Sequence, residues 1–213
     1  MNLLTEAYHY AASHPEKLLA AFQQHCLLVA LPMGIGLVVG LPLGLWSARS
    51  HWVSMVFVNS FNALRVIPSL AILFLAIPYF GLGFESATIA LALLVMPPIL
   101  IGTDAAFRQI DPAIQEAASA MGMNPRQVLC WVEIPLALPL VIAGIKTAIV
   151  EVIASATLAA FIGAGGLGSF IVLGFALYDN AILLVGAIPV AVLALLAEVS
   201  LTVVQQLLQP PSS

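Results

Sequence analysis

Between residues 111 and 127 the chain reads DPAIQEAASAMGMNPRQ, and here polar, turn-forming and helix-capping residues gather at spacings that a hydrophobic core does not need. Asp111 before Pro112 supplies a helix N-cap and a first helical residue with its φ already set, and Gly122 supplies a stop about ten residues later. The spacing predicts a short helix over 112–121. Asn124, Pro125 and Gln127 repeat the start signal as a capping-box variant, so a second helix follows a tight turn. Ala117, Ala118 and Ala120 keep the first helix slim, and Glu116 gives it one directional charge. Such a helix is shaped to dock closely against another surface. A plain connector that turns the chain between two hydrophobic segments fits the same residues, and the residues alone leave both readings open.

Other chemistries find little support. His9, His14, His25 and His51 show no metal-ligand spacing, and Cys26 and Cys130 are too far apart in sequence to suggest a framework or a metal site. Gly163, Gly165 and Gly168 match a dinucleotide-binding pattern, but they follow an apolar helix and not a strand. No GxxxxGK[ST] loop occurs, so the chain does not cradle a nucleotide in the usual way. A Lys146/Ser155 dyad for intramembrane proteolysis is conceivable. The expectation is a protein with no catalytic residues of its own, no metal and no directly bound cofactor.

The elements that hold this polar island are set by composition. Of 213 residues 62% are hydrophobic and 8% charged, with a mean hydropathy of +1.11, whereas soluble domains carry about a quarter charged residues. The chain belongs in a bilayer. Five stretches free of Asp, Glu, Lys and Arg approach or exceed the ~20 residues a spanning helix needs: Cys26–Ala48, Val66–Phe84, Ser86–Thr103, Val152–Tyr178 and Asn180–Ala197. About five spans are predicted, the fourth starting near Pro139. The start, MNLLTEAYHY, lacks the positive segment of a cleaved signal peptide.

Arg49, Arg65, Arg108 and Arg126 border the loop after span one and the island, while the loops around Glu85 and Asp179 hold no cation. The positive-inside rule then places the N-terminus outside and the C-terminus inside, with Lys17 dissenting and Lys146 snorkelling toward the cytoplasm. The organisation expected is an extracytoplasmic segment over 1–23, one membrane domain over 24–208 with the island at 111–127, and a tail over 209–213.

Glu116-Ala117-Ala118, Gly122, Ile134-Pro135 and Pro139 resemble the EAA loop of binding-protein-dependent ABC importer permeases. IPSLAIL at 67–73, IPYFGLG at 77–83, MPPIL at 96–100, IDPAIQEAASAMGMNP at 110–125 and ATLAAFIGAGGLG at 156–168 extend the resemblance to permeases for quaternary-ammonium osmoprotectants such as glycine betaine and choline. Two departures, Ile101-Gly102 where many relatives have Arg and Asn, and Ser169 where Asp is common, bear on substrate more than on family. The resemblance implies an all-α polytopic protein of the type I ABC importer permease fold in the bacterial inner membrane. It also implies two copies of an ATP-binding subunit carrying ATP and Mg²⁺, a second permease copy or paralogue, an extracytoplasmic substrate-binding protein, and no nucleic acid. Glu116, Ala117, Ala118, Gly122, Asn124 and Pro125 become the expected ATPase-coupling residues. An importer for an amino acid such as methionine, or a carrier driven by an ion gradient, are the alternatives.

Within the spans, Gly36, Gly40 and Gly44 form a small-residue stripe for helix packing. Pro68, Pro78, Pro97 and Pro98 interrupt spans two and three, and backbone freed by proline is tolerated in a membrane only against protein or a watery cavity. Pro68, Ser69, Pro97, Pro98, Glu151, Gly163, Gly165, Gly166 and Gly168 are therefore the candidates for a translocation path and gate. Glu151, a carboxylate deep in a span, is expected to face the cavity, to pair with Lys146 of a second subunit, to be neutral, or to sit as a buried structural acid.

Overall fold

Prolines write several of the helix starts: Pro15, Pro112 and Pro125 each stand in the first turn of a helix, where a missing N–H costs nothing. The computed structural model describes residues 2–208, and among these the regular elements are all helical. They run α1 (Leu3–Ser13), α2 (Pro15–Arg49), α3 (His51–Leu64), α4 (Ser69–Phe80), α5 (Phe84–Arg108), α6 (Pro112–Ala120), α7 (Pro125–Val128), a π-helical segment (Leu129–Glu133), α8 (Ile134–Leu158), a 3₁₀ turn (Ala159–Ile162), α9 (Gly168–Leu177) and α10 (Asn180–Leu208).

Four helical runs are long and apolar enough to cross a bilayer: α2, α5, the continuous run Pro125–Ile162, and α10. The apolar pair α3–α4, bent by 100° at the break between its helices, brings the number to five when counted as one span. About five spans is thus the architecture, with span two broken. The chain segment 65–68 forms the corner, and Pro68 caps α4 with extended backbone (ψ 134°).

Helix α5 lies at the centre, flanked by α2 on one side and α8 on the other. Gly36, Gly40 and Gly44 are all buried against it: an added Cβ at Gly44 would lie 2.8 Å from the Leu100 carbonyl, and at Gly40 2.9 Å from Ile99 Cγ2. On the other flank Gly102 and Gly144 bring α5 and α8 together backbone to backbone, a Cβ on Gly102 falling 3.0 Å from Gly144 Cα. Leu28, Leu73, Leu91, Val95, Ile99 and Ile153 fill the core between these helices.

One expectation changes, and two elements extend beyond their expected bounds. Pro97 and Pro98 do not interrupt span three; α5 is unbroken through them and both are buried, so neighbouring helices stabilise a backbone that local rules would break. The helical run that holds span four starts earlier, at Pro125, so that its first turns stand outside the stretch expected to cross from near Pro139. Within residues 1–23, α2 already begins at Pro15 and α1 rests on α10, with Ala7 buried and Tyr10 edge-on to Phe170 of α9 at 6.5 Å. The tail over 209–213 lies outside the described residues.

Candidate functional site

The island folds as its caps dictate. Asp111 Oδ1 accepts from the Ala113 N–H at 2.9 Å, and α6 follows. Gly122 takes φ +87°, the left-handed turn that ends it. Asn124 Oδ1 accepts from the N–H groups of Arg126 and Gln127, while Gln127 Oε1 accepts from the Asn124 N–H at 2.9 Å, a complete capping box. Glu116 and Ala117 are exposed, as are Gly122, Asn124 and Pro125. Ala118 is turned inward and only 2% exposed, so its small size lets α6 lie close on its own scaffold. Met121 and Trp131 extend the exposed surface with large apolar groups.

That scaffold is held by charges the sequence did not connect. Arg49, the last residue of α2, donates through Nη2 to Glu133 Oε2 at 2.8 Å, and Glu133 closes the π segment beneath α6. Nearby, Arg108 donates from Nε to Asp104 Oδ2 at 3.0 Å and from Nη2 to the Ser47 carbonyl at 2.6 Å. Ser47 Oγ completes the triangle by donating to Asp104 Oδ1 at 2.6 Å. Ser47, Asp104 and Glu133 are all buried. Buried carboxylates are tolerated when paired and hydrogen-bonded, and each of these two has an arginine. Arg49 and Arg108 enter the sequence reading only as topology markers; their partners lie too far along the chain, or too deep, to be read as pairs.

At the opposite end of the bundle the clasp is made by neutral groups. Gln24 Nε2 donates to the Ala164 carbonyl at 2.8 Å, and its Oε1 accepts from the Gly166 N–H at 3.1 Å. This clasps the turn 163–167, where Gly163, Gly165 and Gly166 have φ of 78°, 76° and 75°, backbone that favours glycine. Gly168 abuts the Thr157 carbonyl with no room for a side chain, and Gly83 N–H donates to the Ile162 carbonyl at 2.8 Å. Gln24 and Arg49 stand about 37 Å apart along α2, somewhat more than the ~30 Å hydrocarbon core of a bilayer. The two polar clusters therefore mark opposite membrane faces.

The candidate path residues separate. Pro68 is exposed at the corner before α4, and Ser69 is half-buried. Glu151 is half-buried on α8. Pro97, Pro98 and Ile99 are buried inside the chain between α2 and α8 and offer no surface to a solute in this conformation. Lys146 pairs with Glu198 of its own chain at 3.1 Å. Among the described residues no group of His, Cys, Asp or Glu is arranged to hold a metal.

Fold and site together define a multi-pass, all-helical membrane protein that presents a short exposed helix at one polar end. Comparison with known proteins makes the assignment specific: residues 40–210 match the binding-protein-dependent transport system inner membrane component, and the chain belongs to that family. It is 37% identical to the carnitine transport permease protein OpuCD of Listeria monocytogenes over 99% of this chain and 95% of that protein. It is 36% identical to the osmoprotectant import permease protein OsmW of Salmonella typhimurium, over 96% and 98% respectively. The choline transport system permease protein OpuBB of Bacillus subtilis is 35% identical over 91% of this chain and 89% of its own. Among solved structures, the MetNI methionine ABC transporter in an inward-facing conformation superposes with a TM-score of 0.80 at 22% identity, covering 92% of this chain and 99% of that one. The fold is that of the type I ABC importer permeases.

Proposed function

We propose that this chain is the permease subunit of an ATP-driven importer for a quaternary-ammonium osmoprotectant of the carnitine, glycine betaine and choline class. The observation that carries this reading is near-full-length similarity, at 34–40% identity, to permeases named for those solutes. The likeness to the methionine transporter is one of fold, so it does not favour methionine as cargo.

In this reading α6 is the docking helix for an ATP-binding subunit. Its exposed face presents Glu116, Ala117 and Met121 beside the turn at Gly122, and the capping box at Asn124 and Pro125 fixes where the next helix begins. Two ATPase copies, carrying ATP and Mg²⁺, bind on the cytoplasmic side together with a second permease copy or paralogue, and a binding protein delivers solute from outside. The α6 end then faces the cytoplasm and the clasped glycine turn faces out, with the N-terminus outside and the C-terminus inside, in the inner membrane of a bacterium. Closure of the ATPases moves α6 and opens the cavity toward the other face. Pro68, Ser69 and Glu151 are the residues proposed for the path, and Gly163, Gly165, Gly166 and Gly168 for the outer gate. A quaternary ammonium cation is suited to an aromatic cage, and selection by such a cage belongs to the binding protein.

The test is purification of the tagged protein from native membranes, wild type beside Gly122→Asp. An added Cβ at Gly122 meets open space, so the substitution acts through its left-handed φ and a new charge at the docking face. The wild type is expected to bring a nucleotide-binding chain in stoichiometric amount and to take up betaine or carnitine in competition with choline but not methionine. Gly122→Asp is expected to insert normally and to lose that companion; wild-type uptake by the variant would make α6 a connector only.

A further inference from the structure

Docking helix α6 is joined to the end of α5 through residues 109–111 and packs on α7 and on the π segment Leu129–Glu133, so the π segment is one of two routes by which a push on α6 enters the bundle. The π turn has a covalent origin. Pro135 has no N–H, and its ring crowds the carbonyl four residues back; widening the preceding turn, with the Ile134 N–H reaching the Leu129 carbonyl, carries the helix past it. Helices bend at such turns, which recur at functional sites.

The last residue of the π segment is Glu133, and its carboxylate holds Arg49. Arg49 ends α2, and two residues earlier Ser47 locks α2 to Asp104 and Arg108 of α5. The ends of α2 and α5 therefore form one body. Between that body and the start of α8 an apolar groove of about 340 Å³, open to the surface, runs along Leu41, Leu45, Thr103, Phe107, Ile134 and Val141, beside the packed cluster of Ala106, Ile110, Ala137 and Val141. Apolar contacts of this kind are non-directional, whereas an ion pair with a hydrogen bond is directional. At this level the Arg49–Glu133 pair is the directional tie between the π segment and α2.

We propose that Arg49 and Glu133 are positioning residues for energy coupling. The π segment carries movement of α6 into α8, and the ion pair gears the same movement to α2 and, through Ser47, to α5. This rests on the reading of α6 as the ATPase-docking helix and adds to it a specific route into the membrane. Arg49 suits the task because its side chain is half-exposed and long enough to follow a moving partner, whereas the nearly buried Glu133 moves with the π segment.

The experiment uses the whole transporter, permease with its ATPase and binding protein, in lipid vesicles, and reads solute imported per ATP hydrolysed. Glu133→Gln and Arg49→Gln are expected to assemble with a full complement of ATPase while import per ATP falls about tenfold, within the range that single residues in a coupling network command. The exchanged pair Arg49→Glu with Glu133→Arg is expected to recover to within about threefold of wild type, which a merely structural loss would not do. If either neutral variant fails to accumulate, Glu133→Asp keeps the charge and shortens the reach; it is expected to assemble and to couple about threefold less well. Wild-type coupling in the neutral variants or in Glu133→Asp, or a loss that the exchange leaves unrepaired in an intact complex, overturns the proposal. If instead the wild type carries no ATPase at all, it is the docking reading of α6 that fails.

Discussion

Helix α2 is held at its two ends by opposite kinds of chemistry. At Gln24 the contact is neutral and made to backbone, a side-chain amide bridging the Ala164 carbonyl and the Gly166 N–H, with Gly168 pressed on the Thr157 carbonyl beneath. At Arg49 it is made by charges and side chains, beside an open apolar groove, with one partner half-exposed. Backbone contacts across glycine have one arrangement, while ion pairs at a surface have many of similar energy. The first end is built to stay closed as a unit, and the second can be displaced and recover.

The comparison is attacked hardest at Gly168. A valine there must enter the space of the Thr157 backbone, which has no rotamer to change, and overpacking of this kind costs about 3 kcal/mol or more. Gly168→Val is expected to leave little folded protein in the membrane fraction, read as the monodisperse yield in mild detergent. Near-normal yield would mean that the clasped end is as adjustable as the other. Gln24→Ala is gentler: it unpairs the buried Ala164 carbonyl and Gly166 N–H, at about 2 kcal/mol, and should lower the melting temperature in detergent.

The charged end predicts an asymmetry. Arg49→Ala leaves Glu133, 8% exposed, without its cation, whereas Glu133→Ala releases an arginine that can turn to water. The arginine loss should therefore cost about 2 kcal/mol and the glutamate loss under about 1, in the same melting assay. Equal losses would mean that Glu133 finds another donor, and the contrast between the ends would weaken.

What the sequence makes legible follows from range. The caps at Asp111 and Asn124 and the turn at Gly122 are local, each decided by neighbours within four residues, and α6 appears within a residue of where they put it. The Gly36, Gly40, Gly44 stripe announces itself by its period and lies against α5, but Gly102 and Gly144, which meet just as closely, carry no period and were not seen. Pro97 and Pro98 mislead because a rule for isolated helices was applied to α5, whose neighbours on both sides stabilise it. The interruption expected at Pro68 is present as a corner where two helices meet at 100°, and only the size of that angle is beyond local reading. Arg49 with Glu133 is out of reach in principle, since a pair 84 residues apart leaves no local trace in one chain.

The smallest expected effect lies between the ends. Lys146 on α8 reaches Glu198 Oε1 at 3.1 Å and Thr202 Oγ1 at 3.3 Å on α10, with the glutamate side chain 44% exposed. An ion pair this open contributes about 0–1 kcal/mol, so Lys146→Gln should shift the melting temperature little. Replacing both partners by apolar groups, Lys146→Met with Glu198→Leu, should be neutral or better, because desolvating the charges offsets most of their attraction. The pair joins α8 to α10, and α6 does not rest on it, so solute imported per ATP should be unchanged in both variants. A loss there as deep as that expected for Glu133→Gln would mean that any ion pair touching α8 gears the bundle, and the distinction drawn between the clasped end and the charged one would have to be redrawn around α8 itself.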